Sequence, residues 1–157
     1  MFEAVSTSQQ TNMKILLAVD GSAFTIKAVK YLVDHLQWYK QAPMLHLLHV
    51  KLPVPSGLAI TDAHAILGDD AIPAYYQKEA ALVLAPAEKI LRDHGIQFES
   101  NYRVGDIAHE IQQYASQQQM DMIVMGSHGH GALAGVILGS VATKVLAATH
   151  IPVLIVR

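Results

Sequence analysis

The chain has no cysteine in 157 residues. That excludes a disulfide framework, a thiolate nucleophile and any zinc site built on Cys ligands, and a reducing, cytoplasmic compartment is the one expected. An excess of either charge is also missing. Eleven Lys and Arg stand against thirteen Asp and Glu, for a net charge of −2, so no basic stripe exists to track a phosphodiester backbone and no nucleic-acid partner is expected. Long apolar runs are lacking as well. The most apolar stretch, Gly131 to Val156, is interrupted by Lys144, His150 and Pro152, and its longest unbroken run falls short of the roughly 18 residues of a membrane helix. No membrane insertion is expected. The first twelve residues, Met1 to Asn12, are polar, with neither a basic start nor an apolar stretch of signal-peptide length, and read as a disordered or extended tail. Residues 13–157 read as one domain with no internal repeat or linker.

What the chain does have is an alternation of short apolar runs with helix-period segments. Lys14 to Asp20 is nearly continuous apolar sequence, as a strand buried on both faces requires. Asp20-Gly21-Ser22 then turns into a helix with Ser22 as N-cap and Ile26, Val29, Val33 and Leu36 on one side. Met44 to Val50 is a second strand. An irregular connection through Pro53, Pro55, Gly57, Gly68 and Asp69-Asp70 leads to a helix from about Ala71, with Pro73 in its first turn and Val83, Ala87, Ile90 and His94 along one face until Gly95 stops it. Pro86 predicts a kink or break in that helix. Ile96 to Arg103 is a third strand, and Gly105-Asp106 caps a helix with Ile107, Ile111 and Ala115 inward. Met122 to Met125 is the fourth strand. A helix from about Ser140 to Ala148, with Val141, Val145 and Ala148 inward, leads to a fifth strand, Ile151 to Val156. Strands alternating with helices imply right-handed crossovers and an α/β fold with an open parallel sheet.

Between the fourth strand and the last helix stand Gly126, Gly129 and Gly139, followed at once by Ser140, in a Gly-x2-Gly-x9-Gly-Ser spacing. Glycines let main-chain amides approach a charged oxygen closely, and a helix start adds unpaired N–H groups and a positive dipole end. The pattern therefore predicts a phosphate cradle, with a glycine-rich surface loop as the bland alternative. Gly-Lys-Thr is absent, and so is the Gly-x-Ser-x-Gly elbow of a serine hydrolase. Lys144 lies one turn past Ser140. The loop is built to hold a phosphate rather than to cleave it.

The glycine spacing, the strand ending Val19-Asp20-Gly21-Ser22, the Leu48-His49-Val50 strand end, the Val104-Gly105-Asp106 turn and the terminal His150-Ile151-Pro152-Val153 together resemble the universal stress protein family, over nearly the whole chain after the tail. The resemblance implies a single five-stranded parallel sheet in order 3-2-1-4-5 with helices on both faces, and the glycine spacing implies the ATP-binding branch. In that order strands one and four meet at the switch point where open α/β sheets bind ligands. The expected ligand is ATP or another adenine nucleotide, with a magnesium ion as an optional companion. No dedicated metal site and no catalytic residue is expected.

The resemblance also distributes roles. Amides around Gly129, Gly139 and Ser140, with the Ser140 hydroxyl, would hold phosphates, and Gly126 would face the crevice. Ala18, Val19 and Val50 would lend backbone groups and apolar contact to adenine, although taken as residues they are ordinary buried strand positions, and Met125 and Val141 flank the same crevice. Asp20 has two open readings, an acceptor for a ribose hydroxyl or adenine edge, or an Asx-turn that starts the first helix. His128 and His130 are polar lining that can meet phosphate; two histidines alone leave a zinc site half built. The function expected is a stress-response sensor or regulator acting through a dimer on an unknown protein partner. A slow nucleotide hydrolase or phosphotransferase, and a ligand-free dimeric adaptor, remain as alternatives. The homodimer is expected through the C-terminal strand, because Val153 to Val156 would form an apolar sheet edge that needs a cover, if the N-terminal tail does not supply it.

Overall fold

The computed structural model describes residues 12–54, 71–131 and 137–157. The expected tail up to residue 11, and the part of the irregular connection holding Pro55, Gly57, Gly68, Asp69 and Asp70, lie outside the described residues.

Five strands, β1 (Lys14–Ala18), β2 (Met44–Lys51), β3 (Phe98–Val104), β4 (Met122–Gly126) and β5 (Val153–Val156), form one sheet in the order β3-β2-β1-β4-β5. Every pairing is parallel, and Leu17 of β1 sits between Leu47 of β2 and Val124 of β4. Among the described residues the helices are α1 (Ala23–Asp34), α2 (Ala71–Asp93), α3 (Ile107–Gln117) and α4 (Ser140–Ala148), with a short 3-10 turn at Leu36–Trp38 that the periodicity did not anticipate. This is the architecture and strand order expected.

The apolar run of β1 follows from its place at the sheet centre. Ile15 and Leu17 pack with Val29 and Leu32 of α1 and Leu84 and Leu91 of α2, whereas Leu16 packs on the other face with Ile111 of α3 and Val145 of α4. All three strand residues are fully buried, which gives up the alternation an exposed sheet face would show.

Local chemistry sets the element ends. Ser22 caps α1 by accepting from the Thr25 amide, and Asp106 caps α3 by accepting from the His109 amide. Gly95 closes the turn after α2 at φ +67°, a left-handed conformation that a Cβ disfavours.

Three expectations need correction. The break at Pro86 is absent, because α2 runs unbroken through it. Pro86 and Leu82, whose carbonyl loses its amide partner, both lie on the exposed side, where water can satisfy the freed group. His94 does not continue the buried face of α2; it lies beyond the helix end, exposed, with its ring donating to the Ile90 carbonyl at 2.8 Å. In α4 the buried residues are Ala142 and Val145, Val141 is half-buried and Ala148 is exposed, since only one side of this edge helix meets α3 and the sheet.

Candidate functional site

A crevice of about 220 Å³ opens at the carboxyl ends of β1 and β4, where the chain leaves adjacent strands in opposite directions. Eleven of the twelve residues singled out from the sequence line it: Ala18, Val19 and Asp20 from β1 and its turn, Val50 from the end of β2, Met125, Gly126, His128 and Gly129 from β4 and its loop, and Gly139, Ser140 and Val141 from the start of α4. His130 is the exception. It stands beside the crevice, and its Nε2 donates to the Asp20 carbonyl at 2.8 Å.

Asp20 performs the turn role it was offered. Its Oδ1 accepts from the Ser22 amide at 2.9 Å and from the Thr25 hydroxyl at 2.5 Å, while Thr25 Oγ1 accepts from the Asp20 amide at 3.3 Å. The second carboxylate oxygen, Oδ2, faces the loop: a Cβ on Gly129 would lie 2.7 Å from it. One oxygen builds the turn and the other is presented to the crevice.

The three glycines differ in what they accommodate. At Gly126 a Cβ would meet the backbone carbon of Phe24 at 2.8 Å, so this glycine serves the approach of α1 to β4. Gly129 makes room for the Asp20 carboxylate. A Cβ on Gly139 would lie 3.2 Å from the Ser127 carbonyl and 3.3 Å from the His128 Cα, and the Gly139 amide donates to that same Ser127 carbonyl at 2.7 Å. The two ends of the loop are thereby fastened together, which brings the start of α4 to the crevice. Gly139 is also the N-cap of α4 and contributes no side-chain hydrogen bond. The first amides of that helix have no side-chain acceptor from their cap.

The far wall is apolar. Leu48, Val50, Ile107, Ile111 and Met125 line it. Both main-chain groups of Val19 already have protein partners, since its amide donates to the Leu48 carbonyl at 2.8 Å and its carbonyl accepts from the His49 Nδ1–H at 2.8 Å. That carbonyl keeps one spare lone pair at most.

Thr25, Ser127 and Leu48, with Ile107 and Ile111, are site residues that sequence reasoning missed. Thr25 had a readable signal, five residues after Asp20 and three after the cap Ser22. Ile107 and Ile111 were read only as the inner side of a helix, and no local pattern tells which end of that face borders a crevice.

His128 lies in a packed setting. Its Nδ1 pairs with Ser127 Oγ at 3.0 Å, its ring lies 5.2 Å from the Phe24 ring, and its carbonyl accepts from Ser22 Oγ at 3.5 Å. Among the described residues no group of three metal-ligating side chains occurs, so a nucleotide-borne ion would find Asp20 as its one carboxylate in the crevice lining. Away from the crevice, burial shifts the pKa of other groups. Burial lowers His46, against a raising influence of Glu99, and burial raises Tyr114 and Tyr39. Among the described residues no helix is long and apolar enough to cross a membrane.

Comparison with known proteins gives the same architecture an independent source. The Universal stress protein family profile matches residues 11–157. Universal stress protein YxiE of Bacillus subtilis is 36% identical over 150 residues, covering 92% of this chain and 98% of the relative. The structure of MJ0577 from Methanocaldococcus jannaschii superposes with a TM-score of 0.71 at 28% identity, over 91% of this chain and 94% of that one. The Archaeoglobus fulgidus universal stress protein in complex with dAMP shares the fold with a TM-score of 0.63 at 22% identity, over 92% and 98% of the two chains. Two further proteins of this fold hold AMP and cAMP.

Proposed function

The chain belongs to the universal stress protein family, and on that premise we propose that the crevice between β1 and β4 binds an adenine nucleotide, ATP among the candidates, as a stress-response sensor or regulator in the cytoplasm. The observation that carries the reading is the joining of the loop to α4: the Gly139–Ser127 hydrogen bond sets a helix start without a side-chain cap at the edge of the crevice that also holds Asp20. Main-chain amides there suit phosphate oxygens, and the apolar wall of Leu48, Val50, Ile111 and Met125 suits a purine. Asp20 Oδ2 is the acceptor for a ribose hydroxyl. The neighbours that hold AMP, dAMP and cAMP support the ligand class.

Binding rather than turnover is proposed. Phosphoryl transfer uses a fixed cation to stabilise charge spreading over the transferred group, and no Lys or Arg lines the crevice. A magnesium ion, where present, arrives on the nucleotide.

The proposal includes a homodimer through β5, which forms one edge of the sheet with Val153–Val156, each half-buried in the single chain. Sedimentation at micromolar concentration tests it, and a monomer removes it. The partner that reads the nucleotide state is a further protein. Calorimetry with AMP, ADP and ATP, with and without magnesium, tests the ligand class: saturable heat with any of them supports it, and no heat from folded protein rejects it.

A further inference from the structure

We propose, resting on the nucleotide reading above, that the crevice selects adenosine monophosphates over the free triphosphate, and that Asp20 is the residue that sets this preference. The basis is the distribution of charge. All eleven Lys and Arg of the chain lie among the described residues, and none of them lines the crevice. The glycine segment from Gly126 to Ser140 contains no Lys or Arg either.

Three basic side chains close in sequence to the site have partners outside the crevice. Lys51, next to Val50, pairs with Glu79 at 3.2 Å; Arg103 pairs with Glu110 at 3.4 Å and with Gln117 at 2.6 Å; Lys27 lies over the Phe24 ring at 5.3 Å. Lys144 is exposed on α4, one turn past Ser140. Among the described residues, Asp20 is the one Asp, Glu, Lys or Arg in the lining, and its Oδ2 faces Gly129 in the phosphate loop.

A monophosphate brings two negative charges and a free triphosphate up to four. The amides at the start of α4 offer about half a positive charge. One further charge at about 8 Å from a carboxylate near a protein surface changes affinity by a factor of about 2 to 30, depending on the effective dielectric. Each added phosphate meets the same carboxylate. Magnesium removes the penalty by neutralising the extra oxygens, so the preference belongs to the metal-free nucleotides.

The test is calorimetric titration of nucleotide-stripped protein with AMP and with ATP in chelator at pH 8. The expected result is AMP binding about tenfold more tightly than ATP. In Asp20→Asn the amide oxygen can still accept from Ser22 and Thr25, which keeps the turn. Any lost ribose contact weakens both ligands alike, so the ratio of the two affinities should fall towards one. Lys89→Ala, outside the crevice lining and paired with Asp93, should leave the ratio unchanged. Raising the salt should narrow the gap in the wild type, which keeps the idea testable if Asp20→Asn fails to fold. ATP binding as tightly as AMP in chelator, or a gap untouched by both Asp20→Asn and salt, overturns the selectivity while leaving the nucleotide site standing. Failure of both nucleotides to bind folded protein overturns the functional reading and the selectivity with it.

Discussion

His130 reaches across from the β4 loop and donates from Nε2 to the main-chain carbonyl of Asp20 at 2.8 Å. The contact joins two segments more than a hundred residues apart, and it is one of a row. Gly129 lies against the Asp20 carboxylate, the His128 carbonyl accepts from Ser22, and Gly126 lies against Phe24. The β1–α1 turn thus holds the first half of the glycine loop in register, residue against residue. His130 is the exposed member of the row, so its bond is the easiest to remove without disturbing the core.

Replacing His130 by alanine should accordingly loosen the loop more than it destabilises the fold. The stability loss should stay below about 1 kcal/mol, because an exposed hydrogen bond exchanges readily with water. Amide hydrogen exchange at residues 128–131 should accelerate. His130→Gln, whose side-chain amide can donate to the same carbonyl, should restore much of the protection, and an unchanged exchange rate in the alanine variant would show the contact to be idle.

Gly126→Ala should be costly for a reason unrelated to ligand. The added methyl would lie 2.6 Å from the Phe24 Cβ and 2.8 Å from its backbone carbon, which forces α1 away from β4. A loss of about 1–3 kcal/mol in urea denaturation is expected. Gly131→Ala, at a position where a Cβ meets nothing within 4 Å, should change stability by less than about 0.5 kcal/mol. Equal effects at the two glycines would contradict the packing described.

Thr25→Val tests the turn beneath the site. Thr25 is buried, and its hydroxyl both donates to Asp20 Oδ1 and accepts from the Asp20 amide. The isosteric valine leaves the carboxylate without its hydroxyl donor and should lose about 1–3 kcal/mol of stability. Nucleotide affinity should fall as well, since Asp20 is then held by the Ser22 amide without the hydroxyl. Circular dichroism melts and calorimetry on one preparation measure both.

His46 makes stability depend on pH in a defined direction. It is 4% exposed, pairs with the Tyr114 hydroxyl at 2.9 Å, and leaves Nε2 buried without a partner. Burial lowers its pKa below the ordinary 6.5, outweighing the opposing pull of Glu99, while Lys14 lowers it further. The unfolded chain therefore takes up a proton before the folded one does. Stability is full above about pH 6.5 and falls as the pH drops from there towards the lowered folded value. Urea midpoints measured between pH 5 and 8 should show that fall, and His46→Gln should flatten it. Tyr114 acts at the other end: burial raises its pKa, so its contribution is complete below pH 10.0 and is lost as the pH rises above it.

Much of the fold was legible from local pattern. The uninterrupted apolar run of Ile15, Leu16 and Leu17 announced a strand covered on both faces, the caps Ser22 and Asp106 sat where side-chain oxygens can reach the third amide ahead, and Gly95 ended α2 by its backbone freedom. Pro86 misled because the chemistry of a proline states which hydrogen bond is lost, and only the folded helix shows that the orphaned carbonyl faces solvent. Ala148 misled because α4 lies near an edge of the sheet, and helical spacing carries no information on how wide a buried stripe the neighbours leave.

The candidate site divides along the same line. Spacing alone marked the glycine loop and its junction with a helix, since the need for close backbone approach is written in the residue type itself. Which neighbour each glycine admits, Phe24 for Gly126, Asp20 for Gly129 and Ser127 for Gly139, was decided by the packing of α1 and β1 against β4, contacts between segments about a hundred residues apart for the first two. Asp20 shows the difference most clearly. Its turn chemistry could be read from Asp-Gly-Ser, a local pattern, but its standing, among the described residues, as the one carboxylate in a crevice lined by no Lys or Arg is a property of where eleven basic side chains ended up, and only the tertiary structure decides that.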